Sequence, residues 1–305
     1  MKMAHLLLNP LALVVFILAS TTTIAQFSPE LFWVSDEYNN RDLTLSPDGS
    51  TLLTTTYLPR NIRGTILLSR FENGAWSERE IAPFSGQYSD IEPMFSPDGR
   101  RVWFASTRPR PGREGDDWDL WFVDVDMATG AFGEPVNAGD PINSTGNEYY
   151  PSVSARGVVY FTSDREGGIG TEDIYRHDPA ISAGVENLGA SVNSANYEFN
   201  AFIAPDESYL LFTAYGREDD LGRGDLYISR NDGTGTFSAA RHLGNGINSD
   251  QLDYCPFVHG DRLYFTSERG QTAGTFSSIT QLREYLSHPG NGLGDVYRIG
   301  ADSLP

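Results

Sequence analysis

The chain has 305 residues, 41 acidic against 22 basic, and a formal charge of −19. That balance argues against nucleic-acid binding, which needs clustered positive charge to displace counterions. Beyond Lys2 there is no lysine, so a Schiff-base mechanism is excluded, and the single cysteine, Cys255, excludes an internal disulfide.

In chain order, Lys2 precedes an apolar run over residues 6–19 that ends at Thr23-Ile24-Ala25. This pattern reads as a secretory signal peptide over residues 1–25, cleaved after Ala25, with no cysteine at the break to carry a lipid. A periplasmic or secreted protein that is not a lipoprotein is therefore expected. No later segment is apolar over a length that spans a membrane as a helix.

Phe27-Ser28-Pro29-Glu30-Leu31-Phe32-Trp33 has the pattern of a lone strand. Five related units follow, each roughly fifty residues long. A unit opens on an acidic residue and a spacer that often holds proline, then gives a strand, a Pro-Asp-Gly turn and a second strand. It continues as Ser-x-Arg, a glycine-rich loop, Asp before an aromatic strand, and a last strand that opens on Phe or Trp. The turn is Ser46-Pro47-Asp48-Gly49, then Ser96-Pro97-Asp98-Gly99, then a degenerate Ala204-Pro205-Asp206-Glu207. The third unit keeps Gly157 in Ser154-Ala155-Arg156-Gly157, and the fifth has His259-Gly260-Asp261.

The last strands are expected at Ala75-Trp76-Ser77, Ala131-Phe132-Gly133 and Thr236-Phe237-Ser238. Between units stand Ile142-Asn143-Ser144, Val192-Asn193-Ser194 and Ile247-Asn248-Ser249, which read as crossings from one blade's outer edge to the next blade's inner strand. Four short strands per unit, bounded by Gly, Pro, Asn and Asp, predict propeller blades rather than a helical solenoid. The fifth unit stops after its third strand, so the strand near residues 27–33 is expected to complete it and close the ring. The expectation is an all-β, five-bladed β-propeller with four-stranded blades, a single domain over residues 26–305. Six blades, the alternative, would need a further unit.

The Ser-Pro-Asp-Gly turn with its aromatic strand, Ser-x-Arg and Gly-x-x-Asp-Leu-Tyr resembles the WD40-like repeats of the TolB-type β-propeller family. The resemblance covers residues 27–300. That family includes partner-binding periplasmic proteins, propellers fused to other domains and stand-alone copies, so it implies the fold and leaves activity to be argued from a site.

The residues read as opening the units are Arg41, Glu92, Glu148, Glu198 and Asp253, all expected around the mouth of the central channel. The Ser-x-Arg arginines are Arg108, Arg165 and Arg269, with Arg217 one residue out of register in the fourth unit. The first unit lacks both partners, having Arg41 in place of the acid and Tyr57 in place of the arginine. Joint loss predicts that acid and arginine pair as charge-assisted hydrogen bonds. Arg41 and Tyr57 then mark where the ring departs from symmetry and where a ligand contact is sought first.

Asp119, Asp173, Asp225 and Asp295 precede the third strands and read as turn caps. The loops 164–168 and 217–222 faintly resemble calcium loops but lack the ligand spacing, so no cofactor is expected and calcium is the minority reading. The histidines are scattered without zinc spacing, and no Gly-x-Ser-x-Gly elbow is present. Cys255 reads as a small buried residue on an inner strand. Residues 268–294 lengthen the last blade's loop and hold a short helix, with Ser278 as cap.

The functional expectation is an exported, non-catalytic monomeric scaffold that binds a protein or cell-envelope component. The alternative is a glycoside hydrolase that uses channel-mouth carboxylates among Glu92, Glu148, Glu198 and Asp253.

Overall fold

In the computed structural model, residues 28–110, 117–181, 184–270 and 274–305 are described. The signal segment expected over residues 1–25 lies outside them.

The strands form five antiparallel sheets, one per unit. The first blade is built on Asn39–Leu45, Thr51–Tyr57 and Gly64–Glu72, with Ala75–Trp76 and Glu80–Ile81 both on its third strand. The second holds Asp90–Phe95, Arg101–Ser106, Asp119–Asp124 and Val136–Asn137. Blades three and four begin at Glu148–Val153 and Tyr197–Ile203 and end on Glu186–Asn187 and Arg241–His242. The fifth has Asp253–His259, Arg262–Ser267 and Asp295–Gly300, and its outer edge is Glu30–Leu31, with Glu30 opposite Arg298. Five blades closed by the N-terminal strand is the architecture expected from the repeat.

The second strand of each blade is packed on both faces, which is why its sequence is apolar throughout rather than alternating. Leu52, Leu53, Phe104, Phe161, Phe212 and Phe265 are almost wholly buried. The Ser-Pro-Asp-Gly turns close on themselves: Asp48 Oδ1 accepts from Ser46 Oγ (2.6 Å) and Ser50 N (3.1 Å). Gly49 sits at φ +72°, a conformation that costs glycine nothing. In the degenerate turn Glu207 takes that left-handed place at φ 61°, where Arg156 grips both its oxygens at 3.0 and 2.8 Å.

The outer strands lie further along the chain than expected. Phe132 and Phe237 make only single bridges to Val125 and Asn231, extending the third strand into a hairpin. The true edges are Val136–Asn137 and Arg241–His242, and their place is set by the asparagine of the inter-blade punctuation. Asn143 Oδ1 accepts from Leu120 N (2.8 Å) and its Nδ2 donates to Leu120 O (3.0 Å) and Asn137 Oδ1 (3.0 Å). Asn193 and Asn248 do the same to Ile174 and Leu226. The side chain satisfies backbone groups that a longer outer strand would have paired.

Every innermost strand carries a β-bulge at the same place. Register shifts fall between Arg41 and Thr44, Ile91 and Met94, Tyr149 and Ser152, Phe199 and Phe202, and Tyr254 and Phe257. The bulged residues Asp42, Glu92, Tyr150, Asn200 and Cys255 all have positive φ, between 43° and 59°. The prolines of the spacer, Pro93, Pro151 and Pro256, follow directly, where the broken ladder does not require an N–H.

Candidate functional site at the channel mouth

Three of the expected acid–arginine pairs are present as read. Glu148 meets Arg165 at 3.0 Å, Glu198 meets Arg217 at 2.8 Å and Asp253 meets Arg269 at 2.5 Å, each acid fully buried. The serine of each punctuation motif supports its acid: Ser144 N and Oγ both donate to Glu148, and Ser249 N and Oγ to Asp253. Burial pushes the Glu148 carboxyl above the ordinary range, against the pull of Ser144, Arg165 and Ser163.

The second blade corrects the reading. Arg108 pairs with Asp90 at 3.1 Å, and it is Asp90, six residues before Ser96, that matches Glu148, Glu198 and Asp253. Glu92 is instead the bulged residue. The same shift applies to the first blade, where Asn40 faces Thr56 and occupies the acid's place, and Leu58 rather than Tyr57 occupies the arginine's. Asn40 is held by Arg79, which also pairs with Asp36. Because all five inner strands share the bulge, six residues back from the turn marks the same position in every blade; Glu92 lies two residues nearer the turn than that position, and Arg41 one residue nearer.

The bulge puts a second ring of side chains on the axis. Arg41 joins three of its members: Nε donates to Asp42 Oδ1 (2.7 Å), and Nη2 donates to Glu92 Oε1 (3.0 Å) and Cys255 Sγ (3.4 Å). The Cys255 thiol donates to Asp42 Oδ1 at 2.7 Å, so it belongs to a polar network rather than an apolar one. Burial keeps that thiol well above its ordinary pKa. Asn200 Nδ2 reaches Glu92 Oε1 at 3.2 Å.

One asymmetry in this ring explains Glu92. In three blades the N–H of a bulged residue donates to a threonine on the second strand of the preceding blade. Asp42 uses Thr266, Glu92 uses Thr55 and Asn200 uses Thr162. The place that would serve Tyr150 is Ala105, which has no hydroxyl, and Glu92 Oε2 accepts that N–H instead at 2.7 Å. Burial raises the Glu92 carboxyl to about 7, against the pull of Arg41.

Above this ring lies a cavity of about 210 Å³ that opens on the face where the inner strands begin. Its walls are aromatic and aliphatic: Tyr57, Ile91, Tyr149, Phe199, Leu252 and Tyr254. Arg41, Glu92, Asn200, Thr162 and Glu172 supply its polar groups. The Arg41 guanidinium lies over the rings of Tyr254 (4.9 Å) and Tyr57 (5.7 Å). Thus the structure brings Arg41, Tyr57 and Glu92 into one cavity, whereas Glu148, Glu198 and Asp253 are sequestered with their arginines.

Sequence reasoning missed Glu172. It immediately precedes the third-strand aspartate of blade three; its backbone carbonyl accepts from Glu198 N (3.0 Å), while its carboxylate has no hydrogen-bonding or ionic partner among the described residues. Burial, with Asp164 nearby, raises its carboxyl to about 7. The signal available was only an extra acid beside Asp173, which the repeat gave no reason to separate from it.

The third-strand aspartates hold turns: Asp173 accepts from Ile169 N and Gly170 N, and Asp225 from Leu221 N and His242 Nε2. Among the described residues no group of three or more His, Cys, Asp or Glu is placed to hold a metal ion. The last blade's loop carries a helix over Ile279–Leu286, with Ser278 Oγ accepting from Gln281 N at 3.2 Å.

No protein-family model matches the chain, and no curated protein does. Solved structures do. A gluconolactonase from Xanthomonas campestris is 13% identical, covers 91% of this chain and 95% of its own, and has a TM-score of 0.52. TolB from Acinetobacter baumannii is 14% identical over 86% of this chain, with a TM-score of 0.47, and the match spans 55% of TolB's length. The catalytic domain of a GH62 α-L-arabinofuranosidase from Coprinopsis cinerea is 10% identical, over 90% of this chain and 94% of its own, with a TM-score of 0.49. At such identities the likeness is one of fold alone, and that fold is the propeller.

Proposed function

We propose that the protein is an exported, non-catalytic propeller of the TolB-like kind that binds a protein or cell-envelope component through the face bearing the channel mouth. The observation that carries this reading is the character of that face. That face holds the aromatic-walled cavity, and the exposed apolar side chains Tyr38, Ile62, Tyr88, Tyr197, Leu221 and Leu293 stand where inner strands begin or between second and third strands. Exposed apolar side chains on a face with a concave centre are what partner recognition uses.

The hydrolase reading has lost most of its residues. Glu148, Glu198 and Asp253 are bound to arginines and buried, so none is free to face a water or a glycosidic oxygen. What keeps it as a second reading is that Glu92 and Glu172 share one cavity and both titrate near 7.

The test compares the two faces. A photo-crosslinking residue at Ile62, on the mouth face, should capture a discrete envelope component in living cells, and one at Met127, beyond a third strand on the opposite face, should not. Equal capture at both sites, or none at Ile62, would overturn the reading. So would turnover of a glycan panel that disappears in Glu172→Gln.

A further inference from the structure

The chemistry of the mouth narrows what it takes, granted the reading that this face binds. Four observations bear on it. The walls are four aromatic rings, Tyr57, Tyr149, Phe199 and Tyr254, with Ile91 and Leu252 between them. Among the lining residues Arg41 is the sole cation, and its Nε and Nη2 are already engaged by Asp42, Glu92 and Cys255. Against it stand Glu92 and Glu172 in the lining and Asp42 directly behind. The cavity therefore carries an excess of negative charge.

The fourth observation concerns unmet hydrogen bonds. Asn200 is 3% exposed, and its Oδ1 is buried without a partner while its Nδ2 is turned to Glu92. This orientation is dictated by the carboxylate, which repels the amide oxygen and attracts the amide nitrogen. A buried carbonyl left without a donor destabilises the fold, so the site is built at some expense to stability. Asp42 Oδ2 is likewise buried and unpartnered. The Glu172 carboxylate in the same lining also lacks a donor among the described residues. Each of these open valences is an acceptor.

A ligand that satisfies this cavity brings N–H donors, a positive charge and a narrow apolar stem. We propose that the channel mouth binds a protonated alkylamine, with the ammonium between Glu172 and Asn200 Oδ1 and the stem against the aromatic rings. Aromatic faces attract a cation through their quadrupole, and the carboxylate supplies the countercharge. A guanidinium is a poorer candidate, because Arg41 already occupies the faces of Tyr57 and Tyr254. Neutral sugars would stack on the same rings but leave the negative charge unanswered. The amine has two sources, a free small amine or a lysine side chain presented by a partner.

The experiment is calorimetric titration of the intact protein near pH 8, where an alkylamine is protonated and Glu172 is mostly ionised. The probes are pentylamine, 1-pentanol, glucose, and a terminally blocked Gly-Lys-Gly peptide beside its norleucine counterpart. Pentylamine or the lysine peptide should bind at least tenfold more tightly than its neutral isostere. Glu172→Gln should remove that preference while the melting temperature is kept or raised. Phe199→Leu should weaken both amine ligands severalfold and retain the preference. Tighter binding of the peptide than of pentylamine identifies a partner's lysine as the source, and the reverse identifies a free amine. Equal binding of amine and alcohol, or tighter binding of glucose, would overturn the assignment, as would an amine preference unchanged in Glu172→Gln. No binding of any probe, with crosslinking at Ile62 intact, would overturn this inference and leave the mouth-face reading standing.

Discussion

The pairing of Glu148 with Arg165 allows a double-mutant cycle whose outcome follows from the geometry. Glu148 is fully buried and accepts from Ser144 N (2.9 Å), Ser144 Oγ (2.5 Å), Ser163 Oγ (2.9 Å) and Arg165 Nη2 (3.0 Å). Arg165 also donates to Ile142 O (2.5 Å) and lies 5.0 Å from the rings of Phe161 and Tyr175. At an effective dielectric near 20, charges this close attract by about 5 kcal/mol before desolvation is set against it. Arg165→Met keeps much of the stem between the two rings but leaves a buried carboxylate without its cation, at a cost of about 3–5 kcal/mol. Glu148→Gln leaves the arginine its carbonyl partners and costs less, about 2–3 kcal/mol. If each group chiefly serves the other, the double variant should cost little more than Arg165→Met, a coupling of about 2–3 kcal/mol. Urea unfolding followed by tryptophan fluorescence measures all four corners, provided the slope with denaturant is unchanged. Single losses under about 1 kcal/mol, or losses that add within about 0.5 kcal/mol, would refute the pairing as an energetic unit.

Arg41→Met should destabilise by about 3–5 kcal/mol, because Asp42 and Glu92 would then be buried together without a cation; thermal unfolding checks it, and Arg41→Lys should rescue only part, lacking the fork. At the ring closure, Phe32→Ala should cost about 3–5 kcal/mol, since the ring packs edge-on to Tyr264 at 5.2 Å, whereas Glu30→Ala should cost under about 0.5 kcal/mol because its pair with Arg298 is exposed. Comparable losses for the two would show that backbone pairing, not packing, closes the ring. Glu172 has a folded pKa near 7 against an ordinary 4.5, so the folded state holds the proton more tightly. Its contribution to stability is full below about pH 4.5 and is lost as pH rises through about 7, on the order of 1–2 kcal/mol after discounting for solvent at the open mouth. Melting temperatures from pH 4.5 to 8 should fall less steeply in Glu172→Gln, and parallel curves would contradict this.

What could be read from the residues alone is what repeats locally. The turn Ser46-Pro47-Asp48-Gly49, the aromatic second strands and the Ser-x-Arg motif each act within a single blade, so their periodicity counted the blades and located the pairs of Glu148, Glu198 and Asp253. Joint loss of acid and arginine in the first unit was a sound argument for pairing even though the matching positions were displaced. Closure of the ring was also accessible, because a three-stranded last unit and a spare N-terminal strand each leave an open edge.

The site was only partly accessible. Arg41 and Tyr57 stood out as departures from the repeat, and both line the mouth. Glu92 was grouped with Glu148 because it is an acid near the right distance from the turn, when Asp90 holds that place. The repeated bulge decides which of two neighbouring residues faces the axis, and its positive φ is a backbone property that Asp42, Glu92, Tyr150, Asn200 and Cys255 share without sharing chemistry.

By itself, then, the sequence determined the blade count, the turn chemistry, the closing strand and the kind of pairing that staples most blades, all consequences of short-range pattern. The channel mouth was decided only by the tertiary structure. It is assembled from segments spread along the chain from Arg41 to Tyr254, and which of their side chains meet depends on five bulges and the ring's closure. That is why Glu172 and the open oxygen of Asn200 came into view only when the blades stood around one axis.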